Sequence, residues 1–189
     1  MKYFLLLFVL LFSNSCQNEI ENTLKLNTSK EYIIKKGNHH IYHQQIAKHI
    51  NNTLFFEATF NESAIYKTID PSNQSDINKL FGFSDCTEPH HENSARFGWC
   101  WLDDQLKIFT YCYKDGQPHY QYLTTVNLNQ TYKYSIIISS SEYIFECNGI
   151  IKRIPRGCNQ NYTGRYYLFP YFGGDEKAPH DITIRIKEL

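Results

Sequence analysis

The chain has 189 residues, 42% of them hydrophobic and 16% aromatic, and its 19 basic and 19 acidic residues give a formal net charge of zero. That length suits one domain with a proper core, and a second is not expected. No lysine or arginine cluster is long enough to track a phosphate backbone, which argues against nucleic acid as a partner.

The chain opens "MKYFLLLFVLLFSNSC": Lys2, an apolar run from Tyr3 to Phe12, then small and polar residues up to Cys16. This is the pattern of a secretory signal peptide over residues 1–15, too short to span a bilayer as a mature helix. A cysteine directly after Ser15 suits lipoprotein processing, in which the thiol is diacylated and becomes the mature N-terminus. An ordinary leader cleaved nearby is the alternative. The segment resembles the lipoprotein signals of Bacteroidota, and "CQNEIEN" is similar to their acidic surface-export stretch. That resemblance implies a membrane anchor at Cys16 and a place at the outer membrane or cell surface, with plain secretion as the alternative. Loss of Lys2 with the leader takes the net charge to −1. Residues 16–30 lack apolar periodicity and read as a lipidated tether, leaving 31–189 as a single β-sandwich domain.

Beyond the tether, short runs rich in β-branched and aromatic residues dominate: "EYIIKKG", "NTLFFEATF" and "SAIYKTI" each read as a strand ended by Asn, Gly, Pro or Ser. In "DPSNQSDINKLFGFSDC", Ser75 caps an expected helical turn from Asp76 to Leu80 that Gly82 stops. "ARFGWCWL" and "QLKIFTYCYKDG" flank Asp103 and Asp104, and a two-residue turn there sets Leu102 opposite Gln105. Phe97, Trp99, Trp101, Leu106, Ile108 and Thr110 then share a core face, while Arg96, Gly98, Cys100, Lys107, Phe109 and Tyr111 share the other. This register keeps Cys100 and Cys112 on opposite faces, so they are not expected to pair, although a three-residue turn would reverse that. "PHYQYLTTV", "TYKYSIIIS", "EYIFEC", "IIKRI", "RYYLF" and "DITIRI" complete about ten strands, with a hairpin signal at Asn148-Gly149. So many short strands with almost no helix predict an all-β fold, an antiparallel two-sheet sandwich of jelly-roll type, with a closed barrel as runner-up.

Between the last two strands, Pro170, Gly173, Gly174 and Pro179 read as a corner, with Asp175 and Glu176 as solvated charges and His180 fixing the loop. Cys86, Cys100, Cys112, Cys147 and Cys158 allow up to two disulfides in an exported protein, and none has zinc-ribbon spacing. Asn27, Asn51, Asn61, Asn73, Asn129 and Asn161 stand in N-x-S/T sequons, which matter only if the chain is a eukaryotic glycoprotein.

The segments "NKLFGFSDC", "HHENSARFGW" and "YLFPYFGGDEKAPHDITIRI" together resemble a group of secreted Bacteroidota lipoproteins. More broadly, the glycine-bearing aromatic corner before a last alternating strand is similar to concanavalin-like jelly rolls of the laminin-G and polysaccharide-lyase type. The resemblance spans about residues 54–189 and implies a carbohydrate ligand, without licensing a reaction.

The reading of the residues themselves is a carbohydrate-binding or other ligand-binding face, non-catalytic, around Arg96, Tyr111 and His119, with His91 as a fourth candidate. Aromatic rings there stack on sugars while polar groups reach the hydroxyls. The alternatives are a polysaccharide lyase, with Arg96 neutralising a uronate, His91 or His119 as base and Tyr111 as acid, or an adhesion protein binding a protein partner. The sequence lacks the glutamine–hydrophobic–histidine triplet and the "YFKAG"-like strand of alginate-lyase-like sandwiches. Adjacent histidines such as His90 and His91 point opposite ways in extended chain, so no metal and no cofactor are expected from them with Asp85 and Glu92, nor from the polar loop holding His39, His43 and Gln44.

Overall fold

The computed structural model describes residues 28–42, 47–49, 51–160 and 164–189. The signal peptide, Cys16, most of the tether, His43, Gln44 and the sequons at Asn27 and Asn161 lie outside the described residues.

Among the described residues, twelve strands build two six-stranded sheets, all pairings antiparallel. The first sheet runs β1 (Lys30–Ile34), β12 (Ile182–Glu188), β3 (Thr53–Phe60), β8 (Thr131–Ile138), β9 (Glu142–Cys147), β10 (Ile150–Pro155). The second runs β2 (Lys48–His49), β11 (Arg165–Leu168), β4 (Asn78–Ser84), β5 (Ser94–Leu102), β6 (Gln105–Lys114), β7 (Gln117–Val126). This is the two-sheet jelly-roll sandwich that the strand pattern predicts. Strand alternation builds the core directly: Leu54, Phe56, Ala58 and Phe60 of β3 face Phe97 and Trp99 of β5, with Tyr134 stacked on Phe56 at 5.0 Å.

The Asp103-Asp104 turn takes positive φ at both residues and pairs Leu102 with Gln105, as its sequence predicts. Asn148-Gly149 closes β9 to β10 in the same way, and Asp115-Gly116 makes a third such turn between β6 and β7.

The expected helical turn at 76–80 is corrected. Asp70 instead caps a 3-10 turn over Pro71–Ser75, and Asn78–Ser84 runs as β4, almost wholly buried between β11 and β5. Tertiary pairing overrides the local capping signal there. "SAIYKTI" is not a strand either; it forms a 3-10 turn at Glu62–Ala64 and then an irregular strap.

Glu176 is not a solvated charge, because it accepts hydrogen bonds from the backbone N–H groups of Ile69 and Asp70, both at 2.8 Å, and so ties that strap to the corner. Gly173 adopts φ +88°, and a Cβ there would lie 2.1 Å from the Glu176 carbonyl oxygen. His180 meets the Ser63 carbonyl at 2.9 Å. One disulfide joins Cys86 to Cys158, and Cys100, Cys112 and Cys147 are buried free thiols.

Under the disulfide lies a buried ion network. Asp85 accepts from Arg156 at 2.6 and 3.1 Å, from Arg165 at 2.8 Å and from the Tyr143 hydroxyl at 2.8 Å. It joins the end of β4 to β9, β11 and the segment after β10, and so fixes the root of the 85–93 loop that leads into β5.

Candidate functional site

The face of the second sheet turned away from the core is set by register. One cross-strand row reads Leu168, Gly82, Arg96, Tyr111, Tyr120; the next reads Lys79, Gly98, Phe109, Tyr122. On the other side of the Arg96 row, Ser84, Ser94, Tyr113 and Pro118 line up. A bulge between Lys79 and Gly82 returns both residues to this face. Gly82 leaves room for Arg96, since a Cβ at Gly82 would stand 2.4 Å from the Arg96 Cβ.

Arg96 is the centre of this surface. It is 7% exposed, and its Nε is buried without a hydrogen-bond partner. Its guanidinium carbon lies 5.5 Å from the Tyr111 ring centre, and the Lys79 ammonium lies 4.8 Å from the same centre. Among the described residues no ion pair includes Arg96; the groups that raise it, Tyr111, Tyr113, Tyr166 and Cys112, are not carboxylates, and Lys79 and His90 are further cationic or neutral neighbours. Two cations thus share one ring, and among the described residues the buried one has no counter-ion.

Lys79 also donates to the Gly173 carbonyl at 3.0 Å and faces the Tyr171 ring at 5.8 Å. Burial, aided by Arg96 and partly offset by Asp76, brings its ammonium down to about 8. Burial and the neighbouring Tyr113 push the Tyr111 phenol upward, so it holds its proton at neutral pH. Tyr120 stacks on Tyr111 at 6.1 Å and Tyr122 meets Phe109 edge-on at 5.9 Å; both outer tyrosines are at least half exposed, at 58% and 50%. They extend the surface to the sheet edge as an aromatic platform. Ile77, just before β4, fills the space that Gly98 leaves open and bounds the face on that side.

Of the four candidates from sequence, Arg96 and Tyr111 are cross-strand partners. His91 reaches the same surface from the 85–93 loop, its ring edge-on to Tyr113 at 5.7 Å. His119 does not join them: it pairs with Cys112, whose side chain is in the core, so it lies on the opposite face of β7. The His90 and His91 ring centres lie 4.0 Å apart instead of pointing opposite ways, because a turn and not extended chain carries them. Lys79 was missed because the helical reading of 76–80 hid β4; the run "KLFGF", strand-like with a glycine, was the available signal.

Among the described residues, the grouping with metal-ligand proximity is Asp85, Cys86 and Cys158. Its sulfurs form the disulfide and its carboxylate holds two arginines, so it offers no open site. A recess of about 270 Å³ lies elsewhere, on the outer face of the first sheet, lined by Glu31, Thr59, Asn61, Asn129, Thr183 and Arg185. Its two charges pair with each other, Arg185 with Glu31 at 3.0 Å, and Thr59 meets the neighbouring Thr131 at 2.8 Å. The unpaired charge of Arg96 makes the second sheet the stronger candidate.

No protein-family model and no curated protein matches the sequence. Among solved structures, the chain is similar to alginate lyase vAL-1 from Chlorella virus, with TM-score 0.51 and 9% identity over 86% of this chain and 88% of that one. It is similar to the Crh5 transglycosylase, TM-score 0.53 and 9% identity, over 84% and 70% of the two chains. The third likeness is to SCLam, a non-specific endo-β-1,3(4)-glucanase from family GH16, TM-score 0.50 and 10% identity, over 75% of this chain and 57% of that one. At these identities the likeness shows a shared concanavalin-like jelly-roll fold.

Proposed function

We propose that this protein binds an acidic polysaccharide across the outer face of the second sheet and cleaves it by β-elimination. The observation that supports the reading is the buried Arg96 guanidinium without a carboxylate partner. An unpaired buried cation is costly unless a ligand anion completes it, and a uronate carboxylate matches its planar fork. Neutralising that carboxylate acidifies the adjacent C5 proton. Lys79, as the free amine, takes that proton; the C5–H electron pair forms the C4–C5 double bond as the C4–O bond breaks; Tyr111 protonates the departing oxygen. The jelly-roll neighbours, which include an alginate lyase and a glucanase, support carbohydrate as the ligand class. The leader and Cys16 support export and lipid anchoring at the outer membrane or cell surface.

Tyr120 and Tyr122 favour a second reading, a non-catalytic carbohydrate-binding platform. Incubation of the full chain with alginate, polygalacturonate and a glucuronan separates the two. New ultraviolet absorbance from an unsaturated product, abolished in Arg96→Ala, supports the lyase. Binding without absorbance supports the platform, and neither outcome with any acidic polymer overturns both.

A further inference from the structure

The 85–93 loop holds two imidazoles beside the Arg96 row. The Tyr166 hydroxyl meets the His90 backbone N–H at 3.0 Å and its Nδ1 at 3.1 Å, and Ser94 Oγ donates to the His90 carbonyl at 2.7 Å. His91 lies against His90 on one side and Tyr113 on the other. Tyr166 belongs to the same surface, since its N–H donates to Ser84 Oγ at 3.0 Å and Ser84 pairs with Ser94. The histidine pair is thus seated by β5, β6 and β11.

We propose that His90 and His91 form a second, proton-linked anion subsite, which takes the acidic group of the polymer neighbouring the one held by Arg96. This rests on the acidic-polysaccharide reading. Among the described residues, the strands facing the pair present no carboxylate: β5 presents Arg96, β6 presents Tyr111 and Tyr113, β11 presents Tyr166, and β7 brings Pro118, while Asp115 of the β6–β7 turn packs on Asn93 at the end of the loop. On the loop itself, Asp85 is ion-paired to Arg156 and Arg165, Glu88 accepts from Asn93 at 2.5 Å, and Glu92 lies against Gly116.

His90 lies half-buried against the tilted His91 ring and within reach of the Arg96 guanidinium, and it resists protonation. Burial first, then Arg96 and His91, hold His90 down at about 4. An anion seated between the rings and Arg96 reverses that balance. The bound state then has the higher pKa, so binding takes up protons and affinity rises as pH falls. A return of His90 from about 4 to its ordinary 6.5 corresponds to roughly eightfold tighter binding near pH 5.5 than near pH 7. Arg96 stays charged throughout, so it adds no slope of its own.

The test is an NMR titration of both imidazoles in the full chain, alone, with inorganic sulfate and with alginate. The expected result is an upward shift of both titrations with either probe, and alginate affinity roughly eightfold higher near pH 5.5 than near pH 7, below the range in which Lys79 loses its proton. The His90→Gln/His91→Gln double variant, checked for fold by its melting curve, is expected to lose that pH dependence. Alginate binding with unmoved histidines overturns the subsite and leaves the polysaccharide reading standing. Histidines that respond to sulfate while no acidic polymer binds support the subsite and overturn the polymer reading. No response to either probe overturns the subsite outright.

Discussion

The Arg96 guanidinium lies 5.5 Å from the Tyr111 ring and is 7% exposed, yet among the described residues no carboxylate balances it. A buried unpaired cation weakens the folded state, because its lost hydration is repaid only by the ring. Arg96→Met, which keeps the stem, is therefore expected to stabilise the free protein by about 1 kcal/mol, a rise in Tm of about 2–4 °C for a chain of this size. The same change is expected to weaken binding of acidic polymers at least tenfold. A melting curve and a binding isotherm check both; a Tm that falls marks Arg96 as a packing residue.

Lys79 separates charge from proton transfer. Lys79→Arg keeps a cation beside Tyr111 but cannot release its proton near neutrality. Turnover is expected to drop at least about 100-fold with binding within about threefold. In the unmodified protein only the free amine accepts the C5 proton, so the rate is expected to rise as pH climbs and to level off above about 8, where the ammonium is lost. A pH–rate profile that is flat across that range removes Lys79 from the base role.

The hairpin at Asp103-Asp104 shows what was legible in the sequence. A two-residue turn with alternating flanks leaves one register, and that register alone sets Arg96 beside Tyr111. The face of His119 follows from the Asp115-Gly116 turn, which pairs Lys114 with Gln117 and so His119 with Cys112; it was missed because that second hairpin was not carried through to a register. Lys79 was hidden for a different reason: a short segment with a serine cap carries a helix signal that pairing on both sides overrides. The Cys86–Cys158 pairing was open among five thiols, since proximity in a sandwich does not follow from spacing.

His49 predicts the acid limb of stability. Its ring is 1% exposed, stacked on Phe83 at 4.9 Å, with neither nitrogen hydrogen-bonded, and burial with the nearby Arg165 lowers it to about 4. The unfolded chain therefore binds a proton that the folded one refuses between the ordinary 6.5 and about 4. Stability is full above that window and declines as pH falls through it. His49→Leu is expected to flatten part of the decline, leaving the share of His90, which is also held at about 4. Urea midpoints at a series of pH values check this; an unchanged slope in the variant assigns the limb to other groups.

Asp85 and Arg96 make opposite predictions from the same physics. Asp85 and both arginines bound to it have fully buried side chains, and Tyr143 donates to the same carboxylate. Burial raises the Asp85 carboxyl, but hydrogen bonds from Arg156, Tyr143 and Arg165 outweigh it and hold the group below its ordinary range. Its contribution is present above the unfolded value of about 4 and is lost as pH falls through the lower folded value. Asp85→Asn keeps the shape but leaves two buried guanidinium groups without a counter-charge, at a cost of about 3–5 kcal/mol, or a drop in Tm on the order of 10 °C. Arg96→Met, measured alongside, is expected to move the other way, because there the cation is already alone. If both variants melt lower, Arg96 is a packing residue and the argument for an anionic ligand fails with its unpaired charge.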